Sequence, residues 1–166
     1  IMFIPTIYIE NIKSEYKSIE ISDNKLHHLK NVLRLRDEDK INVSNGKGSI
    51  FYGNFTNNCV KINNSRVYER QNTLKIFVPY LREKNRFRFL IEKLTELNVN
   101  EIHIGMTENA QNTNYNKSKI LDWTISALEQ SGSAYLPELF FPDNLNFSVF
   151  STCLDISGEK LNNNRE

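Results

Sequence analysis

Cysteine is scarce in this chain. Cys59 and Cys153 are the only two in 166 residues, and no CxxC pair or Cys/His spacing accompanies them. Neither a zinc site nor a disulfide framework is suggested, and a reducing, cytoplasmic setting with no metal is expected. Long apolar runs are missing too: none approaches the ~18 residues of a membrane span, and Met2-Phe3-Ile4-Pro5 lacks the basic start and apolar core of a signal peptide. No membrane partner is therefore expected. Nor is there an excess of one charge. The formal net charge is +1, so a nucleic-acid site has to be a local patch rather than a property of the whole surface. What is present, 39% hydrophobic and 25% charged residues, suffices for one ordinary domain or two small ones. The chain begins at Ile1 and ends in Leu161-Asn162-Asn163-Asn164-Arg165-Glu166, which leaves a fragment and a natural short protein both open.

Up to about Arg70 the pattern is one of short strands and turns: Phe3 to Ile9, Ile19 to Ile21, Lys40 to Ser44, Ser49 to Phe55 and Cys59 to Ile62. Asn45-Gly46 is a hairpin signal, because both central positions of a tight I′ turn need positive φ. A small antiparallel barrel or sandwich follows. One helix interrupts it, capped by Ser22 or Asp23 and carrying Leu26, Leu29, Val32 and Leu33 at helical spacing. Residues 63–72 are polar and are expected to connect two units, 1–70 and 73–166.

Beyond that connection, strand and helix alternate. Leu74 to Val78 is a strand candidate, and Phe87, Leu90, Ile91, Leu94 and Leu97 then form one apolar stripe along a helix. Glu101 to Met106 gives a second strand. Asn116 or Ser118 opens a helix with Ile120, Leu121, Thr124, Ile125 and Leu128 on its apolar side, ended by Gly132. Leu139 to Phe141 and Ser148 to Leu154 are further strands. This order implies an α/β unit with a mostly parallel sheet covered by helices.

Several polar residues exceed what such elements require, and each has a plain explanation beside a functional one. Arg34 and Arg36 precede Asp37-Glu38-Asp39; they can simply complement a helix dipole and pair with those carboxylates, or present planar forks to phosphate. Lys93 and Glu96 can be a solvated i, i+3 pair worth a few tenths of a kcal/mol. Thr107 and Glu108 follow the second strand, on the edge of an open α/β sheet where ligands bind. Trp123 and Ala127 suit packing, whereas Gln130, at a helix end, suits a ligand.

Together these segments resemble the bacterial rRNA uridine methyltransferases of the deep-trefoil-knot (SPOUT) class, the RsmE type, which methylate N3 of a uridine in small-subunit rRNA. The resemblance rests on His28 before Val32-Leu33-Arg34, on Arg86 and Lys93-Leu94-Thr95-Glu96-Leu97, on Thr107-Glu108, and on Trp123, Ala127 and Gln130-Ser131 before Pro137. It implies a PUA-like RNA-binding β-barrel followed by a SPOUT domain, acting as a homodimer on small-subunit rRNA with S-adenosyl-L-methionine as methyl donor. It also implies RNA contact at His28, Arg34, Arg36, Arg86 and Lys93, and a place near substrate or cofactor for Thr107, Glu108, Gln130, Asp155 and Gly158.

Some positions depart from the family pattern. Asn98 stands for a glycine, Arg88 for a glutamate, Glu83 for a basic residue, Asn109 and Ser133 for arginines. The family's Gly-Pro-Glu-Gly-Gly loop and the Leu-Gly…Leu-Arg…Glu-Thr-Ala segment of the knot do not occur, although Cys153 to Gly158 resembles the stretch that precedes them. The enzyme is therefore expected to be inactive as this chain alone, and an inactive RNA-binding and dimerising module is the alternative. A flavodoxin-like ligand domain is a third reading. Against it, Pro79-Tyr80-Leu81-Arg82 follows the first strand of the second half where a Gly-rich phosphate loop would stand.

Overall fold

The computed structural model describes residues 4–12, 15–70, 73–107, 115–142 and 150. Strands β1 (Thr6–Tyr8), β2 (Ser18–Glu20), β3 (Lys40–Ser44), β4 (Ser49–Thr56) and β5 (Cys59–Val67) form one curled sheet in the order β1-β3-β4-β5-β2. The sheet is not wholly antiparallel, as the sequence pattern suggested, because β1 pairs in parallel with β3. Alternation along the strands buries Ile41, Val43, Phe51, Phe55 and Val60 with Leu29 in a first core. Each such side chain contributes about 1.5–3 kcal/mol on leaving water.

The turns distribute left-handed residues differently from the sequence expectation. The I′ geometry belongs to Asn57-Asn58, both at positive φ (48° and 67°), between the paired Thr56 and Cys59. At Asn45-Gly46 the hairpin is present but its loop is longer. The Asn45 side-chain oxygen accepts the N–H groups of Lys47 (2.8 Å) and Ser49 (2.9 Å), and Gly46 and Gly48 supply the positive φ. Strand β5 also runs to Val67, so residues 63–67 are exposed strand rather than connection.

The second unit alternates β6 (Lys75–Pro79), α2 (Lys84–Glu96), β7 (Glu101–Gly105), α3 (Lys117–Ser131) and β8 (Glu138–Phe140). Its three strands are parallel in the order β6-β7-β8. Phe87, Ile91 and Leu94 of α2 pack with Ile102, Ile104, Ile120 and Trp123 in a core separate from the first. Two residues of the expected stripes are exposed. Leu97 is 73% exposed because α2 has ended there and Asn98 takes φ +58°; Leu121 is exposed because α3 turns Trp123, Thr124 and Ala127 inward instead. Asn116 caps α3 by accepting the Ser118 N–H at 2.9 Å, and Gly132 ends it at φ +68°. The strand expected at Ser148 to Leu154 lies outside the described residues except for Phe150.

The segment after α3 joins the two units. Gly48 N–H donates to the Ala134 carbonyl (2.9 Å), Leu136 N–H to that of Gly46 (2.9 Å), and the Tyr135 hydroxyl to that of Tyr68. Glu129 of α3 accepts the Tyr8 N–H at 2.8 Å and the Lys25 ammonium at 2.6 Å.

Candidate functional site

The helix after β2 is regular only from Asp23 to His27, here α1, and continues as a wider π-helical turn over His28–Val32. Leu33 N–H reaches the His28 carbonyl at 3.1 Å, and Leu35 N–H the buried Leu29 at 3.0 Å. This widening rotates the chain, so Val32 is 60% exposed and Leu33 is exposed too, where the helical spacing placed them inside. Between the two bonds Arg34 adopts φ +56°. Glycine or asparagine is usual at such a helix end, since a β-carbon costs about 1–2 kcal/mol in that region.

The acidic residues that follow do not neutralise these arginines. Asp39 Oδ2 accepts the backbone N–H of Arg36 at 2.7 Å, Asp37 Oδ1 that of Asn57 at 3.3 Å, and Glu38 Oε1 the Thr56 hydroxyl at 3.1 Å. Asp37 and Glu38 thus fasten the turn to the β4–β5 hairpin, while Asp39 closes the turn on itself. Arg34 and Arg36 are exposed, and among the described residues neither guanidinium has an ion-pair partner. His28 is exposed on the same turn.

On α2 three cations are paired. Arg86 bonds Glu83 at 2.8 Å, Arg88 bonds Glu92 at 2.7 Å, and Lys93 bonds Glu96 at 2.6 Å while lying 5.5 Å from the Phe89 ring centroid. Arg86 and Lys93, seven residues apart, share one exposed side about 10 Å apart along the axis.

Thr107 follows β7 at the carboxyl edge of the parallel sheet, where α2 and α3 begin. Gln130 is exposed in the last turn of α3, at the opposite edge and beside Glu129. About 20 Å of helix separates these edges, so one pocket does not bring Thr107 and Gln130 together. Glu108, Asp155 and Gly158 lie outside the described residues. A groove of about 600 Å³ opens at the amino edge beside the half-barrel, lined by Tyr68, Arg70, Asn98, Ser133 and Tyr135 among others. Arg70 lies over the Tyr135 ring, 4.4 Å from its centroid, and burial holds its guanidinium below the ordinary arginine range.

Lys119 had no role in the sequence reading, and Lys84 only that of a neighbour of Glu83 that could stand in for the family's basic residue. Lys84 and Lys119 stand in the first turns of α2 and α3.

A curled strand sheet joined to a parallel α/β sheet is matched by known families. One family model, described as the RNA methyltransferase domain, covers residues 69–154, and a second, described as the RNA methyltransferase PUA domain, covers residues 21–53. The first spans more than half of the chain. The chain belongs to the RNA methyltransferase family. A ribosomal RNA small subunit methyltransferase E of Buchnera aphidicola is 30% identical over 157 residues, covering 84% of this chain and 62% of that one. A predicted RNA methyltransferase of Thermotoga maritima superposes with TM-score 0.71 at 25% identity, over 86% of this chain and 67% of its own. The small subunit methyltransferase E of Neisseria gonorrhoeae, solved with S-adenosyl methionine, shares the fold with TM-score 0.71 at 23% identity, over 86% of this chain and 62% of its own. The RsmE-type resemblance and the α/β class with its PUA-like first unit are borne out. The chain spans 60–62% of the length of the curated relatives it matches.

Proposed function

We propose that this methyltransferase-family chain binds small-subunit rRNA through its half-barrel unit, residues 1–70. The unit from residue 73 onward would then present a uridine for methylation at N3. One observation carries the RNA reading: Arg34 and Arg36 project unpaired from a strained turn whose three carboxylates are all committed to backbone or hydroxyl donors. Two free guanidinium forks at such a point suit phosphate oxygens. His28 on the same turn, and Arg86 and Lys93 on α2, would extend the contact, the last two by exchanging weak exposed ion pairs for phosphates.

S-adenosylmethionine, when bound, supplies the methyl group. At the carboxyl edge the described residues offer the Thr107 hydroxyl and the Gly105 backbone, whose carbonyl already accepts the Tyr80 N–H at 3.0 Å. Among the described residues the one buried side-chain nitrogen or oxygen without a partner is Arg70 Nε, which borders the groove at the other edge. These groups do not by themselves form a cradle for the cofactor. What the chain contributes here is binding and orientation, which supply much of the barrier reduction in a group transfer between held partners. Thr107, Glu108, Gln130, Asp155 and Gly158 near substrate or cofactor, a homodimer, and a cytoplasmic location complete the proposal.

A second reading is that these residues bind RNA and dimerise without catalysis; the motifs Gly-Pro-Glu-Gly-Gly and Leu-Gly…Leu-Arg…Glu-Thr-Ala do not occur among them. The 166 residues are expected not to transfer labelled methyl to rRNA, and to gain no thermal stability from S-adenosylmethionine. Transfer by this purified chain would overturn that expectation. The RNA reading is tested by Arg34→Gln with Arg36→Gln. Binding to a small-subunit rRNA fragment should weaken, and the salt slope should fall by about 1 per lost phosphate contact. A folded double variant with unchanged affinity and slope would refute it.

A further inference from the structure

The groove of about 600 Å³ at the amino edge of the parallel sheet lies between the two units, with Ile50 of β4 on one side and the residues that end α2 and α3 on the other. Its size falls in the range of about 300–1,000 Å³ usual for small-ligand pockets. Part of its lining is apolar and idle. Leu74 is 50% exposed and Leu97 73% exposed, and neither belongs to either core.

Two amides on the same lining are held in fixed orientation. Asn100 Oδ1 accepts the Leu74 N–H at 2.8 Å, and Asn98 Oδ1 accepts the Ser133 hydroxyl at 2.5 Å. With their oxygens engaged, both amide nitrogens remain as donors without a hydrogen-bond partner among the described residues. Arg70 adds a third donor group. Its Nη2 donates to the Leu136 carbonyl at 3.1 Å, while its Nε is buried and unpartnered. Such orphaned donors are uncommon in folded proteins, and an occupant that satisfies them has to bring acceptors.

Charge decides which acceptors. Both α2 and α3 end at the groove, so the negative ends of their dipoles lie there, and Glu69 and Glu96 are on its lining. A phosphate is disfavoured in that field. An uncharged flat ring with carbonyl acceptors is not, and its faces suit Leu74 and Leu97. Tyr68 lines the groove, and Arg66 lies over its ring, 4.9 Å from the centroid, with no ion-pair partner among the described residues. A cation is thus available beside the groove for a phosphate attached to the ring.

We infer that this groove holds one unpaired nucleobase of the RNA, its acceptor edge on Asn98, Asn100 and Arg70 and its phosphate on Arg66. The inference rests on the RNA reading proposed above and adds to it a base contact remote from the turn of Arg34 and Arg36. About 20 Å of helix separates the groove from the carboxyl edge, where Thr107 lies. The held base is therefore a second nucleotide that positions the strand, not the one presented for methylation.

The test compares binding of a single-stranded oligouridylate and of an abasic ribose-phosphate strand of equal length by the 166-residue chain, by Leu74→Ser with Leu97→Ser, and by a control, Leu121→Ser with Tyr16→Ser, which alters exposed apolar residues outside the groove. The unaltered chain and the control should prefer the base-bearing strand by about tenfold, and the groove variant should lose that preference. Its salt slope should stay that of the unaltered chain, because no phosphate contact has been removed. As a readout independent of any variant, 4-thiouridine in the strand should crosslink to Tyr68 or Tyr135 on irradiation. A groove variant that keeps the preference, a loss of affinity with a shallower slope, or crosslinks confined to residues 28–36 would overturn the base site and leave the RNA reading standing. Competition by uridine monophosphate as strong as that by the oligonucleotide would make the groove a free-nucleotide site and also overturn it. Failure of the unaltered chain to bind either strand or an rRNA fragment would overturn both.

Discussion

Tyr135 covers Gly48 so closely that a β-carbon on the glycine would lie 2.5 Å from the phenolic oxygen. Gly48 sits in the β3–β4 loop of the half-barrel and Tyr135 just after α3, so this contact, with the Gly48–Ala134 hydrogen bond of 2.9 Å, holds one unit against the other. Gly48 also has φ +103°, a conformation that L side chains rarely adopt. Gly48→Ala should therefore destabilise the chain by about 2–4 kcal/mol, from backbone strain and overpacking together. Urea denaturation would measure it, and a loss under about 0.5 kcal/mol, the scatter of ordinary surface substitutions, would show that the contact is slack.

Arg34 allows stability and binding to be separated. Its φ of +56° is one that glycine adopts without strain. Arg34→Gly should leave stability unchanged or raise it by up to about 1 kcal/mol while weakening RNA binding. A variant that is less stable and binds RNA as well as before would assign Arg34 to folding instead.

Acid should act through Glu101. Its carboxylate bonds Lys75 at 2.8 Å and His103 at 2.9 Å, and these two partners, Lys75 first, hold it below the usual carboxylate range. A carboxylate lowered in the folded state stabilises it above the unfolded pKa, and that contribution is lost as pH falls through the folded value. Glu101→Gln should thus lower stability near neutral pH and flatten its decline below about pH 4.5, the unperturbed carboxylate value. Thermal melts across pH 2–7 would follow it, and an identical acid slope in the variant would exclude Glu101 as the source.

The sequence by itself determined the local elements. Phe87, Leu90, Ile91 and Leu94 could be read as the inner face of α2, and Ile102 and Ile104 as one face of β7, because helix and strand periods are properties of neighbouring residues. Asn98 could be read as a left-handed helix end, and Asn116 and Gly132 as caps, for the same reason. The RNA methyltransferase resemblance was legible because its motifs run contiguously through Arg34, Lys93 and Glu96. Tertiary structure alone decided the rest. Val32 and Leu33 fit a helical stripe, yet the π turn pinned by Leu29 carries them outward. The carboxylates of Asp37, Glu38 and Asp39 look like partners for Arg34 and Arg36 until the β4–β5 hairpin claims the first two and the Arg36 backbone N–H the third. Pairing of β1 with β3 and of Gly48 with Tyr135 joins residues far apart in the chain. No local period records which distant surface a side chain will meet; that is set by how the two cores pack and by which donors burial leaves to be satisfied.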